Sequence, residues 1–308
     1  MSWETQLDKW AAEYLPDLKI VNDEPMSRHT SFRVGGPAKR MAFPSSGEQL
    51  VLLLDYARAC GARPLVIGNG TNLLAPDEGL DRLVIDTSAG LNRLEEGTEP
   101  GTLTAEAGVS LARLADFACK QGLTGLEFAH GIPRTVGGGV CMNAGAYGGE
   151  IAQVIVSARV LTPEGVRTVS KDELSLGYRS SAVMQNGWVV LEATFELAPG
   201  SPDEIKATMA DLAARRREKQ PLQYPSCGSF FKRPVGYYAG ALIEQAGLKG
   251  YRVGDAQVSE MHAGFVINRG HATSSEIYRL MQEVQCRVQA QFGVTLEPEV
   301  RLIGHFEA

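Results

Sequence analysis

The N-terminal part of the chain alternates between two spacings of apolar residues. From Gly47 to Cys60 the apolar positions recur every three or four residues, which is the spacing of one face of an α-helix. Gly61 follows directly and is a residue type that ends helices. Short apolar runs around this segment have the length of strands. They predict strands at residues 40–44 (RMAFP), 64–67 (PLVI) and 82–86 (RLVID).

The remainder of the chain carries stronger helix signals. Ser110 is a predicted N-cap for a helix that continues to Lys120. The pattern Thr273-x-x-Glu276 is a capping box, and it opens a longer helix that ends at Gly293. This mixture predicts α+β domains rather than a doubly wound parallel sheet. Further strands are predicted at residues 154–162, 166–169, 188–197 and 296–303.

A chain of 308 residues is long for a single hydrophobic core, which predicts more than one domain. A second series of strands and helices begins near Leu103. The proline- and glycine-rich stretch at residues 198–202 (APGSP) has the composition of a linker. We therefore predict three domains, at residues 1–90, 91–198 and 199–308.

Composition and charge argue against several classes of partner and site. The net charge of -6 and the lack of a long basic run argue against a nucleic-acid partner. No apolar run approaches the ~20 residues of a membrane helix, and the N-terminus lacks a signal-peptide pattern. The 5 cysteines are widely spaced without a C-x-x-C motif, and the 5 histidines have no metal-ligand spacing. We expect a cytoplasmic protein with reduced thiols, no metal and no membrane insertion.

Two glycine-rich loops are the candidate sites. Residues 66–74 (VIGNGTNLL) follow a predicted strand, and successive N–H groups in such a turn can converge on an anion, although a plain hairpin also fits. Residues 131–150 (GIPRTVGGGVCMNAGAYGGE) are too apolar for a flexible linker. Neither loop has the glycine spacing of a Rossmann dinucleotide site. Together they predict a large diphosphate ligand lying between two subdomains.

Six segments carry a more specific resemblance. Three are TSFRVGGPA at residues 30–38, GNGTNLL at 68–74 and GIPRTVGGGVCMNAGAYG at 131–148. Three more are GYRSS at 177–181, PSCGSFFKRP at 225–234 and LEPEVRLIG at 296–304. The chain resembles the UDP-N-acetylenolpyruvoylglucosamine reductase family in these segments and in their order. The resemblance implies a two-subdomain FAD-binding module of the PCMH type and a smaller α+β substrate-binding domain.

The resemblance also implies non-covalent FAD, held by both glycine-rich loops. The matching residues of the pyrophosphate loop are Gly68, Asn69, Gly70, Thr71 and Asn72. In the second loop they are Ile132, Pro133, Gly137, Gly138, Asn143, Ala144 and Gly145. Arg301 matches an arginine that contacts the flavin.

The family reaction reduces the enolpyruvyl ether of UDP-N-acetylenolpyruvoylglucosamine to a lactyl ether, with NADPH as co-substrate. The carbanion that forms beside the substrate carboxylate needs hydrogen-bond or cationic stabilisation and a proton donor. The resemblance implies Arg179 as the catalytic arginine and Ser229 as the proton donor. It implies Glu299 as the catalytic glutamate, which burial would have to keep protonated for hydrogen-bond donation. Candidate substrate contacts are Tyr178, Lys232 and Arg216.

Each catalytic candidate also has a plainer interpretation. Arg179 fits an exposed loop, and Ser229 fits a turn. Glu299 fits the solvated face of the predicted C-terminal strand, shared with Glu297 and Arg301. Two positions depart from the family pattern, and they affect the expected loop beside the cofactor and the expected pocket wall. They are Arg134, where glycine is expected, and Val183, where an aromatic residue is expected.

Two other functions fit part of the pattern. An FAD oxidase of the same superfamily would share the flavin loops, but the segments around Arg179, Ser229 and Glu299 argue against it. A catalytically inactive UDP-sugar-binding flavoprotein would tend to lose one of the three catalytic candidates, and all are present. The short stretch between Arg179 and Ser229 favours the compact form of the family, which lacks a substrate-covering insertion. We expect a monomer.

Overall fold

The computed structural model describes residues 1–306 of the chain. Helices begin where the sequence supplies a capping side chain: Ser46, Ser110 and Thr273 each accept a hydrogen bond from a backbone N–H in the first turn. The α-helices in this part of the chain are α1 (Trp3–Tyr14), α2 (Gly47–Ala59), α3 (Leu111–Lys120), α4 (Val136–Cys141), α5 (Ile151–Val154), α6 (Lys171–Leu174), α7 (Ala182–Asn186), α8 (Pro202–Lys219), α9 (Ala239–Gln245) and α10 (Ser274–Phe292).

The strands are mostly short. In chain order they are β1 (Lys19–Pro25), β2 (Pro37–Phe43), β3 (Leu65–Ile67), β4 (Leu73–Leu74), β5 (Leu80–Asp86), β6 (Leu94–Glu96), β7 (Thr102–Glu106), β8 (Leu123–Thr124), β9 (Gly145–Ala146), β10 (Gly149–Glu150), β11 (Ile155–Thr162), β12 (Gly165–Ser170), β13 (Val189–Glu196), β14 (Ala198–Pro199), β15 (Ser226–Ser229), β16 (Arg252–Val253), β17 (Ala256–Val258), β18 (Phe265–Asn268) and β19 (Arg301–Leu302).

Within residues 1–306, three sheets have four or more strands. The largest has the order β12-β11-β13-β7-β6, and all its neighbours are antiparallel. A second sheet, β1-β2-β5-β3, contains the parallel pair β3 and β5. The third, β15-β18-β17-β16, is antiparallel. Mainly antiparallel sheets combined with helices confirm the predicted α+β class.

The chain forms two compact units, each with its own hydrophobic core. The first unit comprises Met1–Val21, Arg40–Asn69 and Arg82–Arg216. The second comprises Asn22–Lys39, Gly70–Asp81 and the chain from Arg217 onward. The division into residues 1–90, 91–198 and 199–308 is finer than these two units and stays a prediction.

Several predicted elements have the expected ends. The capping box of α10 is formed by Thr273 and Glu276, and the helix ends before Gly293, which has a φ of +68°.

Residues 198–202, predicted as a linker, contain β14, which pairs with β8. Gly200 donates its N–H to the carbonyl of Gly122 at 2.7 Å. No helix within residues 1–306 is long and apolar enough to cross a membrane.

Candidate functional site

Gly68 and Asn69 bring the two glycine-rich loops together inside the first unit. Gly68 follows β3, and a Cβ atom at this position would lie 2.2 Å from the Oγ1 atom of Thr135. Asn69 donates from Nδ2 to the carbonyl of Pro133 at 3.1 Å. Ile132, which precedes Pro133, is buried. The two segments predicted to hold one ligand therefore contact each other.

Thr135 also belongs to this site, although it is not among the residues predicted to bind FAD. Its hydroxyl caps α4 by accepting the N–H of Gly138 at 3.4 Å. The N–H of Gly137 donates to the carbonyl of Ala107 at 2.9 Å. A Cβ atom at Gly137 would lie 3.0 Å from that of Ala107. The sequence signal for this arrangement is a threonine in N-cap position before the glycine run.

Asn143 ties the second glycine-rich loop to the GYRSS segment. It is buried with a φ of +42°, and its Nδ2 donates to the carbonyl of Gly177 at 3.1 Å. Its Oδ1 accepts the N–H of Ala152 at 2.9 Å. The hydroxyl of Ser181 donates to the carbonyl of Cys141 at 2.7 Å. The two loop candidates that follow Asn143 are Ala144, which is buried, and Gly145, which begins β9.

Arg179 lies in a tight turn of the first unit. Gly177 and Ser180 exchange two backbone hydrogen bonds, at 3.0 and 3.2 Å, across Tyr178 and Arg179. Arg179 has a φ of +52°, a left-handed conformation that costs a residue with a side chain about 1 kcal/mol or more. Its guanidinium carbon lies 5.1 Å from the centre of the exposed Tyr178 ring. Such strain persists where the surroundings impose it, and it is concentrated at functional sites.

Ser229 ends β15 in the second unit, and its side chain is exposed. The next two residues, Phe230 and Phe231, are buried, and their rings contact edge to face with centroids 5.2 Å apart. Strand pairing shifts register between Ser226 and Ser229, as at a β-bulge, and bulges commonly redirect a side chain. Ser229 is therefore an exposed hydroxyl next to a buried pair of aromatic rings.

The C-terminal segment differs from the prediction. The sequence predicts a strand over residues 296–303, but the strand there is β19 alone, which pairs in parallel with β4. Pro298 has no N–H to donate, so regular pairing is interrupted before β19. The predicted common face of Glu297, Glu299 and Arg301 is therefore wrong, because Glu299 is buried whereas Glu297 and Arg301 are exposed.

Glu299 is held at both of its backbone groups. Its N–H donates to the carbonyl of Phe230 at 2.9 Å. Its carbonyl accepts a hydrogen bond from Nδ2 of Asn72 at 2.9 Å. The carbonyl of Asn72 in turn accepts the N–H of Arg301, also at 2.9 Å. Phe230, the residue after Ser229, and Asn72 of the first glycine-rich loop thus both contact the backbone of Glu299.

Gly70 has a conformation that favours glycine, with a φ of +59°. A Cβ atom there would lie 1.8 Å from the carbonyl oxygen of His29. The N–H of Ser31 donates to the carbonyl of Gly70 at 3.3 Å. The segment at residues 30–38 therefore contacts the first loop, and Thr71, which is half-buried, leads from Gly70 into Asn72.

The two predicted substrate cations have different surroundings. Lys232 pairs with the carboxylate of Glu297 and donates its N–H to the Glu297 carbonyl at 2.8 Å. Arg216 lies in α8, and its Nε is buried without a hydrogen-bond partner among residues 1–306. Burial lowers the pKa of the Arg216 guanidinium, although its interaction with Tyr147 opposes this shift. A Cβ atom at Gly131 would lie 2.9 Å from Nη1 of Arg216.

The two departures from the family pattern lie in different surroundings. Arg134 is half-buried, and its carbonyl accepts the N–H of Leu111 at 2.9 Å. Val183 is buried in α7 and belongs to the hydrophobic core of the first unit. The consequences of both departures for the reaction stay predictions.

One buried atom bears on whether the chain suits the expected cofactor. Oδ1 of Asn72 is buried and has no hydrogen-bond partner within residues 1–306. A buried acceptor without a partner costs roughly 1–3 kcal/mol. FAD carries hydroxyl and N–H groups that can donate to such an oxygen. The residues of this loop therefore fit a bound FAD.

Two family models match the chain. The model described as an FAD binding domain matches residues 38–170. The model described as the C-terminal domain of UDP-N-acetylenolpyruvoylglucosamine reductase matches residues 220–303. The first match includes most of the segments predicted to bind flavin, and the second includes Ser229 and Glu299.

Proteins similar over the full length are reductases by name. The UDP-N-acetylenolpyruvoylglucosamine reductase of Agathobacter rectalis is 51% identical, over 97% of this chain and 98% of that protein. The reductase of Limosilactobacillus reuteri is 49% identical, over 94% of this chain and 96% of that protein. The crystal structure of UDP-N-acetylenolpyruvylglucosamine reductase from Thermus caldophilus has a TM-score of 0.78 at 34% identity, covering 92% of this chain and 98% of that one.

Proposed function

Because the chain belongs to the UDP-N-acetylenolpyruvoylglucosamine reductase family, we propose that it reduces UDP-N-acetylenolpyruvoylglucosamine to UDP-N-acetylmuramate. Membership makes it an FAD oxidoreductase of peptidoglycan precursor synthesis. We further propose that FAD binds non-covalently and that NADPH is the co-substrate. The chemistry that FAD supplies when bound is hydride transfer between NADPH and the vinyl CH2 carbon of the substrate.

The arrangement around Glu299 is the observation that supports this proposal most directly. The backbone of Glu299 is hydrogen-bonded to the residue after Ser229 and to Asn72 of the predicted cofactor loop. In the proposed reaction, the step that reduces the sugar requires a proton donor, a group that stabilises the carbanion and a bound flavin. Ser229, Glu299 and the loop that contains Asn72 are the proposed sources of these three.

Three side chains have proposed catalytic roles. Addition of a hydride to the CH2 carbon leaves an electron pair on the neighbouring carbon, conjugated with the substrate carboxylate. Arg179 offers a planar fork of N–H donors to that carboxylate. Glu299, in its neutral form, donates a hydrogen bond to the developing enolate. Ser229 delivers its hydroxyl proton to the carbanion carbon and recovers a proton from solvent. One hydride and one proton thus add across the double bond, and the ether bond is retained.

The remaining proposed roles concern binding. We propose that both glycine-rich loops hold FAD, together with Arg301, as the family resemblance implies. The proposed contacts to the sugar nucleotide are Tyr178, Lys232 and Arg216. For the three predicted domains, residues 1–90 and 91–198 are proposed to bind FAD, and residues 199–308 are proposed to bind the substrate.

The proposed function is tested with the purified protein. It should be yellow, and sustained oxidation of NADPH should require UDP-N-acetylenolpyruvoylglucosamine, with UDP-N-acetylmuramate as the product, whereas NADPH alone should only bleach the flavin. Oxygen consumption is measured in the same assay. Sustained consumption of NADPH and oxygen together in the absence of the sugar, with electrons passing from NADPH to oxygen, would contradict the proposal.

A further inference from the structure

The side chain of Asn72 has two functional atoms in different environments. Nδ2 donates to the carbonyl of Glu299 at 2.9 Å, and Oδ1 is buried without a partner among residues 1–306. The residue as a whole is only 6% exposed. At this burial the hydrogen bond to Glu299 and the surrounding packing restrict the orientation of the Asn72 side chain. Its amide therefore acts on the backbone of Glu299 from a constant direction.

Backbone hydrogen bonds of Asn72 and Glu299 add to this constraint. The carbonyl of Asn72 accepts the N–H of Arg301, and β4 pairs in parallel with β19 immediately afterwards. The N–H of Glu299 donates to the carbonyl of Phe230 at 2.9 Å. Removing the Asn72 amide would release the carbonyl of Glu299 while leaving the bonds of its N–H and of Arg301 in place.

We propose that Asn72 is a positioning residue for Glu299. By holding the Glu299 carbonyl, it fixes the peptide plane that follows the Glu299 Cα atom, and with it the direction in which the carboxyl group is presented to the substrate. This inference rests on the proposed function, and it adds to Asn72 a role distinct from cofactor binding. The role concerns the step in which the substrate is reduced, because Glu299 has no proposed part in the oxidation of NADPH.

Two variants separate this role from general support of the fold. Asn72→Ala removes the amide, and Asn72→Asp keeps its size but replaces the donor with an acceptor. Both are assayed by anaerobic rapid mixing at saturating added FAD, so that weakened cofactor binding does not obscure the result. Because Asn72 is also a proposed FAD contact, bleaching of the flavin by NADPH serves as the internal reference for any change in the bound cofactor. Reoxidation by UDP-N-acetylenolpyruvoylglucosamine should slow about 10- to 100-fold more than bleaching does, the scale of a misplaced catalytic group.

Gln285 provides a matched control. Its Nε2 donates to the carbonyl of Leu296 at 2.8 Å, so it makes the same kind of bond to the same C-terminal segment. It contacts neither Glu299 nor a candidate catalytic group through that bond. Gln285→Ala should lower the melting temperature without selectively slowing reoxidation. A selective loss equal to that of Asn72→Ala would overturn the proposal, since general loosening of the segment would then explain both.

A double-mutant cycle with Glu299→Ala, which removes the carboxyl group altogether, completes the test. If Asn72 acts through the Glu299 side chain, Asn72→Ala should change reoxidation by less than about twofold in the Glu299→Ala background. If the double variant were slower than wild type by the product of the two single-variant factors, the positioning role would be overturned. Equal slowing of flavin reduction by NADPH and of reoxidation by the sugar, at saturating FAD, would also overturn it. A wild-type protein that is reduced by NADPH but never reoxidised by the sugar would overturn the proposed function itself, and the two failures are thereby distinguished.

Discussion

Nδ2 of Asn72 donates a hydrogen bond to the carbonyl oxygen of Glu299 at 2.9 Å, across a sequence separation of 227 residues. The bond joins a loop predicted to bind cofactor to a residue predicted to act in catalysis, within one compact unit. Because it involves a backbone carbonyl, its existence depends on the path of the chain and not on the identity of residue 299.

Replacing Gly70 with alanine should destabilise the protein beyond the cost of backbone strain. The new Cβ atom would meet the carbonyl of His29, whereas a Cβ atom at Gly61, which has a φ of +80°, would have no heavy atom within 4 Å. Gly61→Ala should cost about 1 kcal/mol from its left-handed conformation. Gly70→Ala should cost at least about 1–3 kcal/mol more and lower the flavin content. Urea unfolding measures the loss of stability, and flavin absorbance measures the flavin content. An equal loss of stability in Gly61→Ala and Gly70→Ala would refute the role of the His29 contact.

Asp77 should make the stability of the protein depend on pH. Its carboxylate accepts the N–H groups of Ser274 and Ser275, at 2.8 and 2.9 Å, at the start of α10. Burial acts to raise the pKa of Asp77, but hydrogen bonds from Ser275 and Ser274 outweigh burial and lower it. A folded pKa below the unfolded value stabilises the fold above about pH 4, and this contribution is lost as the pH falls through the folded pKa.

The corresponding variant is Asp77→Asn. It should lower the free energy of unfolding by about 1 kcal/mol at neutral pH, the usual value of a helix cap. The difference from wild type should shrink as the buffer is made more acidic, within the range where the wild type stays folded. Asp81→Asn, at an exposed position, is the control. A difference between Asp77→Asn and wild type that does not change with pH would contradict the account.

Substitutions of Glu299 should cause a graded loss of activity. If the side chain acts as a neutral hydrogen-bond donor, Glu299→Gln should retain more activity than Glu299→Ala, because an amide still donates. The burial of Glu299 makes this comparison informative, since solvent would not readily substitute for the missing group. Turnover at saturating substrate measures the difference. An equal loss in both variants would argue against hydrogen-bond donation.

Local signals in the sequence predicted local structure. Thr273 and Glu276 form the expected capping box because both partners lie within one helical turn, where neighbouring residues determine the geometry. The antiparallel pairing of β11 with β12 follows similarly from a short turn between two apolar runs. The family resemblance supplied the candidate site residues, and their roles stay predictions.

Long-range contacts were not predictable in this way. The alternation around Glu299 suggested an exposed strand face, but Pro298 interrupts the strand, and the backbone of Glu299 bonds to the distant residues Asn72 and Phe230. The contact that requires glycine at residue 68 comes from Thr135, in a different loop. Single-sequence periodicity contains no information about such partners, because it reports only how one segment alternates along its own axis.

The most direct test of the account is the anaerobic half-reaction sequence in wild type and Ser229→Ala. The substitution removes one exposed hydroxyl and leaves the buried Phe230 anchor in place, so the fold and flavin content should persist. NADPH should bleach the flavin at similar rates in both proteins. Reoxidation by UDP-N-acetylenolpyruvoylglucosamine should yield UDP-N-acetylmuramate in the wild type and be ~10²–10⁴-fold slower in the variant, the scale of a positioned general acid. Reoxidation that is equally fast in both proteins, or a reduced wild-type flavin that responds to oxygen but not to the sugar, would contradict the account.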